Sequence, residues 1–298
     1  MLTATKEAQA NIVLRDILFA TDFSPAAENA LLYAADFARR FHATLHIVNA
    51  IEPVNYALPP ETWHATDEAR KLESKKMQAF LQESYPDVET NVQMWEGAVP
   101  QVLTSAIARD SADLVVLGTH GRTGVGKFLL GSSAEEILRS APCPVLTVGP
   151  HALAGQQWQL DHILYATDFS AESISGARHA IALANQCDAK LTLLHVVENR
   201  KVDELVHEAD LIESSRRMLA KLVPEGALRG EIRCEVKIGV PAATILEFAK
   251  QTHAGLIVLG ARRATGVPGA ASHLPIATVH NVIAQAACPV LTMRHAKE

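Results

Sequence analysis

Residues 17–24 read ILFATDFS, and 146 residues further along the chain residues 163–170 read ILYATDFS. A second segment behaves in the same way, because DLVVLG at 113–118 returns as GLIVLG at 255–260. Both matches occur in the same order and at nearly the same distance. A period as long as a whole domain indicates a duplicated domain and excludes a short-period solenoid.

A third repeated segment, CPVLT, begins at Cys143 and again at Cys288. The length of 298 residues agrees with two domains of ordinary size. Residues 149–157 carry Gly, Pro and polar residues without clear periodicity, as a linker does. We therefore predict two related domains, residues 1–150 and 151–298.

Apolar runs alternate with segments of helical spacing inside each copy. In the first copy we predict strands at 17–20, 44–51, 88–95, 114–117 and 145–148, and helices from Pro25 and at 61–84, 100–109 and 133–140. Continuous apolar strands that alternate with helices predict an α/β fold, with a five-stranded parallel sheet covered by helices on both faces. Ligands of such sheets bind beyond the carboxyl ends of the strands.

On two long helices we predict residues that share one side. For residues 61–84 we expect one side to carry Ala69, Leu72, Lys76 and Phe80. For a helix at 202–222 in the second copy we expect an apolar stripe of Leu205, Ala209, Ile212 and Leu219 that packs on the sheet.

Composition excludes several classes of protein. The formal net charge of −6 and an aromatic content of 5% argue against a nucleic-acid partner. No window approaches the roughly 18 apolar residues of a membrane span, and the first 20 residues lack the features of a signal peptide. We expect a cytoplasmic protein. The four cysteines form no CxxC motif, so we interpret them as reduced packing residues.

The most informative loop follows residues 114–117. Gly118-Thr119-His120-Gly121 is followed after nine residues by Gly131-Ser132-Ser133, and this differs from both the dinucleotide fingerprint and the P-loop. Glycines let a backbone approach a ligand closely, and a helix N-terminus suits a phosphate. Ser132 and Glu135 have the spacing of a capping box. On the glycines alone, an ordinary loop before a capped helix explains the pattern equally well.

Together these segments resemble the universal stress protein family, as a tandem member. The resemblance rests on ATDFS at 20–24, on the glycine loop, and on PCPV at 142–145. It implies Rossmann-like domains of the adenine nucleotide α-hydrolase type, a role in stress tolerance, and ATP as ligand, with or without Mg²⁺. The family also contains members that bind no nucleotide.

The resemblance also implies roles for individual residues of the first copy. Asp22 would lie beside adenine and ribose, and the backbone of Ala50 would meet the adenine, although Asn49-Ala50 replaces the His-Val that is usual there. Gly118 would approach the ribose. The phosphates would be surrounded by Gly121, Gly131, Ser132 and Ser133, with His120 and Arg122 in reach from the loop and Lys127 as further counter-charge.

The second copy departs from this pattern. It keeps Asp168 and Gly260, but Arg263 replaces the second loop glycine. Nine residues on stands His273-Leu274, and a three-residue insertion instead places Ile276 at the position of Gly131. Side chains would then stand where a backbone must approach, so we predict that this copy binds ATP weakly or not at all.

Three functions follow from these patterns. The first is a regulatory protein that binds ATP in its first domain, with the second domain as structural partner. The second is a slow ATPase, for which His120 is the single candidate near the phosphates, so no catalytic residue is assigned. The third is an interaction module that needs no nucleotide.

The remaining expectations concern metals and pairing. The 13 histidines show no ligand spacing, and His42 and His46 straddle a turn, so we predict no metal site. The resemblance implies that the two domains pair within the chain, with strands 145–148 and 290–293 as candidate edges. A homodimer stays open.

Overall fold

The computed structural model describes residues 12–51, 60–119, 130–153, 158–198, 208–224, 226–227, 229–260 and 276–293. Its strands are Asp16–Ala20 (β1), Thr44–Ile51 (β2), Thr90–Glu96 (β3), Leu114–Gly118 (β4), Val145–Val148 (β5), His162–Thr167 (β6), Lys190–Glu198 (β7), Ile232–Gly239 (β8), Leu256–Gly260 (β9) and Val290–Met293 (β10). Its helices are Pro25–Phe41 (α1), Pro60–Ser84 (α2), Val99–Arg109 (α3), Ser132–Ser140 (α4), Ala171–Cys187 (α5), Glu208–Lys221 (α6), Pro241–Gln251 (α7) and Ile276–Gln285 (α8).

All ten strands join one sheet in the order β3-β2-β1-β4-β5-β10-β9-β6-β7-β8. Within each half the five strands run parallel, and the predicted α/β class is confirmed. Strand order in the second half mirrors that in the first, as a duplicated domain requires. A parallel order that places β1 between β2 and β4 brings the carboxyl ends of these three strands to one edge.

Helices cover both faces of the sheet. One face carries α1, α2, α5 and α6 over a core that includes Phe19 and Tyr165. The other face carries α3, α4, α7 and α8 over a second core that includes Leu18 and Leu164. Successive strand residues therefore enter opposite cores, which is why the strands read as continuous apolar runs.

The two halves meet where β5 pairs with β10 in antiparallel fashion, and Leu146 lies opposite Leu291. Two buried threonines bond across this seam. Thr147 Oγ1 donates to the carbonyl of Val290 at 3.0 Å, and Thr292 Oγ1 donates to that of Val145 at 3.1 Å. The two strands proposed from the sequence as edges thus pair with each other.

Trp158 holds the halves together at a second place. It follows the linker, is 8% exposed, and packs against α1 of the first half with its ring centroid 4.9 Å from Tyr33 and 5.6 Å from Phe37. Its indole N–H donates to the carbonyl of Gly255 at 2.6 Å. The hydroxyl of Tyr33 bonds to the carbonyl of Leu153 in the linker.

The residues predicted to share one side of α2 differ in burial. Phe80 packs against the core, whereas Leu72 is 53% exposed and Ala69 is exposed. Met77 and Leu81 on the same helix are buried. On α6, Leu219 is fully buried as expected. Of the other predicted stripe residues, Ile212 is half-buried and Ala209 is exposed. Leu205 lies outside the described residues.

All four cysteines are free. Burial raises the pKa of Cys143 and Cys187 to about 11 and that of Cys288 to about 12. Their thiols therefore stay protonated near neutral pH and behave as small apolar groups. In the described part of the chain, no helix is long and apolar enough to cross a membrane.

Candidate functional site

The turn after β1 places Asp22 at the carboxyl edge of the sheet. Asp22 Oδ1 accepts from the amide of Ser24 at 3.0 Å, and Ser24 Oγ in turn accepts from the amide of Ala27 at 3.3 Å as the N-cap of α1. Phe23 lies between them with a φ of 59° and donates its amide to Thr21 Oγ1. Phe169 has the same left-handed backbone in the second half, with φ 62°, so this turn belongs to the fold of both halves.

Ala50 lies on β2 beside this turn. The β1–β2 register pairs Ala20 with Val48, and the amide of Thr21 continues it by donating to Val48 at 3.0 Å. Ala50 lies two residues beyond Val48 on β2, at the edge of the sheet where the turn with Asp22 begins. Asn49, which is 4% exposed, donates from Nδ2 to the carbonyl of Thr21 at 2.7 Å and so ties β2 to the start of the turn.

Gly118 ends β4, directly next to β1 in the sheet. The loop that follows is closed at its base, because the amide of Gly131 donates to the carbonyl of Thr119 at 2.9 Å. Thr119 is itself 2% exposed and anchored to Val148 at 3.1 Å. The structure therefore brings Gly118 and Gly131 together at the same edge as Asp22. His120, Gly121, Arg122 and Lys127 lie outside the described residues.

The predicted capping box is wrong. Helix α4 begins one residue earlier than predicted, with Gly131 as N-cap and no side-chain cap bond, so Ser132 is the first helical residue. The bond from Gly131 to Thr119 holds the chain in this position. Glu135 pairs instead with Arg139 one turn along the helix.

This start leaves the first turn of α4 open for a ligand. The first amides of a helix have no intrahelical acceptor, and here no cap side chain takes their place. They belong to exposed Ser132, half-buried Ser133 and the residue after it. The described part of the fold does not require glycine at 131, since φ is −60° and an added Cβ would meet, among the described residues, the carbonyl oxygen of Thr119 at 3.4 Å and nothing nearer.

The equivalent corner of the second half is closed by its own side chains. Asp168 Oδ1 accepts from the amide of Ser170 and also from the hydroxyl of Ser173, both at 2.9 Å. Ser173 is fully buried and stands where the first half has Ala27. Burial raises the pKa of nearby Tyr165 well above its ordinary value, which indicates a dry corner.

Two further contacts complete this closed corner. A Cβ on Gly260 would fall 2.5 Å from the Cα of Ser173, so α5 packs directly onto the end of β9. His195 takes the place of Asn49, bonding through Nδ1 to the carbonyl of Thr167 at 2.8 Å. Its ring centroid lies 4.3 Å from that of Phe169. Sequence reasoning missed Ser173 and His195, although an alignment of the two repeats pairs them with Ala27 and Asn49.

Helix α8 supports the alignment that contains an insertion. The 145-residue distance between β5 and β10 places Ile276 at the position of Gly131, and Thr278 at that of Ser133. In this alignment of the sequence, isoleucine replaces the glycine. Arg262, Arg263, His273 and Leu274 lie outside the described residues.

Metal ligands do not gather in the described part of the chain, where no group of three or more His, Cys, Asp or Glu residues could hold an ion. His42 caps the C-terminus of α1, whereas His46 lies on β2 and bonds to Asp16 at 2.8 Å. These two histidines therefore have separate structural roles.

Comparison with known proteins gives a consistent result. The sequence profile described as "Universal stress protein family" matches twice, at residues 14–149 and 159–294. A universal stress protein of Methanocaldococcus jannaschii is 31% identical over 140 residues, which cover 45% of this chain and 81% of the relative. A relative of the same family in Staphylococcus epidermidis is 34% identical over 145 residues, covering 46% and 85% respectively.

Among solved structures, a universal stress protein from Archaeoglobus fulgidus superimposes with a TM-score of 0.66 at 21% identity. The superposition covers 94% of this chain and 96% of that one, so the likeness extends over both halves. At this identity it supports the fold and nothing finer.

Proposed function

This chain belongs to the universal stress protein family through both of its halves, and on that premise we propose that it is a regulatory protein that binds ATP in its first half. The second half serves as the structural partner of the first. Nucleotide acts by favouring the conformation that holds it better, because a ligand shifts an equilibrium only by its differential affinity.

The observation that carries this proposal is the start of α4. Gly131 occupies an N-cap where a serine or aspartate would stabilise the helix better, in a backbone conformation open to any residue. We infer that glycine is present at 131 because a ligand must approach the backbone closely there. The open amides at Ser132 and Ser133 then suit phosphate oxygens.

Asp22 completes the donor and acceptor set. Its carboxylate can accept hydrogen bonds from ribose hydroxyls, and the backbone of Ala50 can pair with the adenine edge. Lys127 and Arg122 supply positive charge for the phosphates, and any Mg²⁺ would arrive with the nucleotide and be held mainly by its phosphate oxygens.

The second half lacks the residues that would bind ATP in this way. Asp168 already accepts two hydrogen bonds, one of them from Ser173, and Ile276 stands where the phosphate turn needs a glycine. We therefore expect one nucleotide per chain.

A matched pair of substitutions tests the assignment. Asp22→Asn and Asp168→Asn both keep an oxygen for the local turn and remove one charge, at equivalent places in the two halves. Losing one charge-assisted hydrogen bond is worth about 1.5–3 kcal/mol, so Asp22→Asn should weaken ATP binding by about tenfold or more. Asp168→Asn should leave the dissociation constant unchanged. Equal effects of both substitutions would refute the assignment.

The two other functions are outcomes of a related experiment. Protein is denatured directly after purification, and released nucleotides are quantified per chain by chromatography and mass spectrometry. ATP that persists for hours in the folded protein supports the regulatory function, and steady conversion to ADP would indicate the slow ATPase. No released nucleotide, together with no binding of added ATP, would indicate an interaction module.

A further inference from the structure

A cavity of about 540 Å³ lies at the amino-terminal edge of the sheet, between the two halves. Its walls are residues 12–15 before β1, residues 40–42 at the end of α1, and residues 186–188 at the end of α5. Helix α1 has 17 residues, so its two ends are about 25 Å apart. The cavity is therefore well separated from the candidate nucleotide site at the start of the same helix.

Both halves build the walls of this cavity. The amide and carbonyl of Ile12 bond to the side-chain amide of Gln186 on α5, at 3.1 and 2.7 Å. Trp158, which stands 146 residues after Ile12, packs reciprocally on α1. Each segment that precedes a first strand thus docks on the first helix of the other half, so the cavity walls are held in place before any ligand binds.

The lining combines apolar surface with two arginines. Leu14, Phe41 and Cys187 provide the apolar part. Arg15 is exposed, and its backbone amide donates to Asp113 at 2.7 Å. Arg40 Nε donates to Asp36 on its own helix at 2.6 Å, and its guanidinium carbon lies 5.7 Å from the centre of the Trp158 ring. The terminal nitrogens of Arg40 form no hydrogen bond among the described residues.

The charges around the cavity favour a ligand with no more than one negative charge. Guanidinium groups match carboxylate geometry, and a volume of this size is typical of small-molecule sites. However, the C-terminal ends of α1 and α5 carry partial negative charge, and Asp188 adds a full one. These groups disfavour a dianion. We propose that this cavity is a binding site for a small amphipathic monocarboxylate.

Isothermal titration of the full-length protein, saturated with ATP, tests this site. The probe is 2-naphthoate, and the comparison compounds are neutral 2-naphthamide and dianionic 2-naphthyl phosphate. We expect saturable binding of one 2-naphthoate per chain. The amide should bind about tenfold more weakly, the value of one charged hydrogen bond, and the phosphate should also bind more weakly because its second charge is repelled by Asp188 and the helix C-termini. No saturable binding, or equal binding of the amide, would overturn the proposal.

Three variants locate the probe. Arg15→Gln removes an exposed cation and should weaken 2-naphthoate several-fold, whereas Cys187→Phe fills the cavity and should abolish binding. Arg39→Gln is the control, because Arg39 bonds to the same carboxylate as Arg40 but does not line the cavity. Binding that survives Cys187→Phe, or that is displaced by ATP, would overturn the proposal. The ATP affinity of each variant is measured in parallel, so failure here is distinguishable from failure of the nucleotide site.

Discussion

Replacing Trp158 by alanine should strongly destabilise the whole chain. Its side chain is 8% exposed, its ring packs on Tyr33 and Phe37 of the other half, and its N–H bonds to Gly255 at 2.6 Å. Truncation of a buried tryptophan costs about 3–5 kcal/mol, and this truncation also leaves the carbonyl of Gly255 unpaired. We expect the free energy of unfolding to fall by about 4 kcal/mol.

Urea unfolding followed by far-UV circular dichroism measures this loss without relying on tryptophan fluorescence. Trp158→Phe keeps one stacked ring but loses the N–H and part of the ring volume, so it should cost less than alanine, about 1–2 kcal/mol. Trp95→Ala is the control within one half, since Trp95 is half-buried beneath Arg109 and should cost less. A loss below about 1 kcal/mol for Trp158→Ala would refute the idea that this residue joins the halves.

Further predictions concern the core and the seam. Asn49→His should stabilise the protein by about 1 kcal/mol, because Asn49 Oδ1 is buried without a hydrogen-bond partner among the described residues while His195 is satisfied in the equivalent place. A lower thermal midpoint for this variant would contradict the equivalence. Thr147→Val should cost about 1–2 kcal/mol in urea unfolding through loss of its bond across the seam, and no change would refute that role. Burial raises the pKa of Cys288 to about 12, so above about pH 9 the unfolded thiol loses its proton while the folded one keeps it. Stability should fall as pH rises, by at most about 1.4 kcal/mol per unit from this group, and Cys288→Ala should fall less steeply; equal slopes would contradict this.

The order of strands and helices was accessible from the sequence for a physical reason. Buried parallel strands are short, continuous apolar runs, and Ser24-Pro25 is a strong helix start, which the structure confirms as the N-cap of α1. The seam between β5 and β10 was expected from the family resemblance, which implies that the two domains pair within the chain. These patterns are local or periodic, so they can be recognised without knowledge of tertiary contacts.

The predictions that failed depend on contacts between distant residues. Leu72 and Phe80 were predicted to share one side of α2, but Leu72 is exposed while Phe80 packs against the core and Met77 and Leu81 are buried. Ser132 was expected to cap α4, but the hydrogen bond between Gly131 and the loop base shifts the start of the helix. The spacing of residues along a helix can be read from a sequence. The distant residues that determine which helix face is buried, or at which residue the helix begins, cannot.

The candidate site was predictable in part for the same reason. Asp22 follows β1, Ala50 lies near the end of β2 and Gly118 ends β4, and adjacent parallel strands bring such residues to one edge. The closure of the second half could not be deduced in this way. It arises from a single hydroxyl, that of Ser173, which gains its meaning only when α5 packs against Asp168 and Gly260.

The most direct test of the account counts the ATP molecules that bind to each chain. Nucleotide-stripped wild-type protein and Gly131→Val are titrated calorimetrically, with circular dichroism to confirm that both are folded. The account predicts about one ATP per wild-type chain and loss of that binding in the variant, because a branched side chain blocks the approach to α4. Two ATP per chain, or unchanged binding in Gly131→Val, would contradict it.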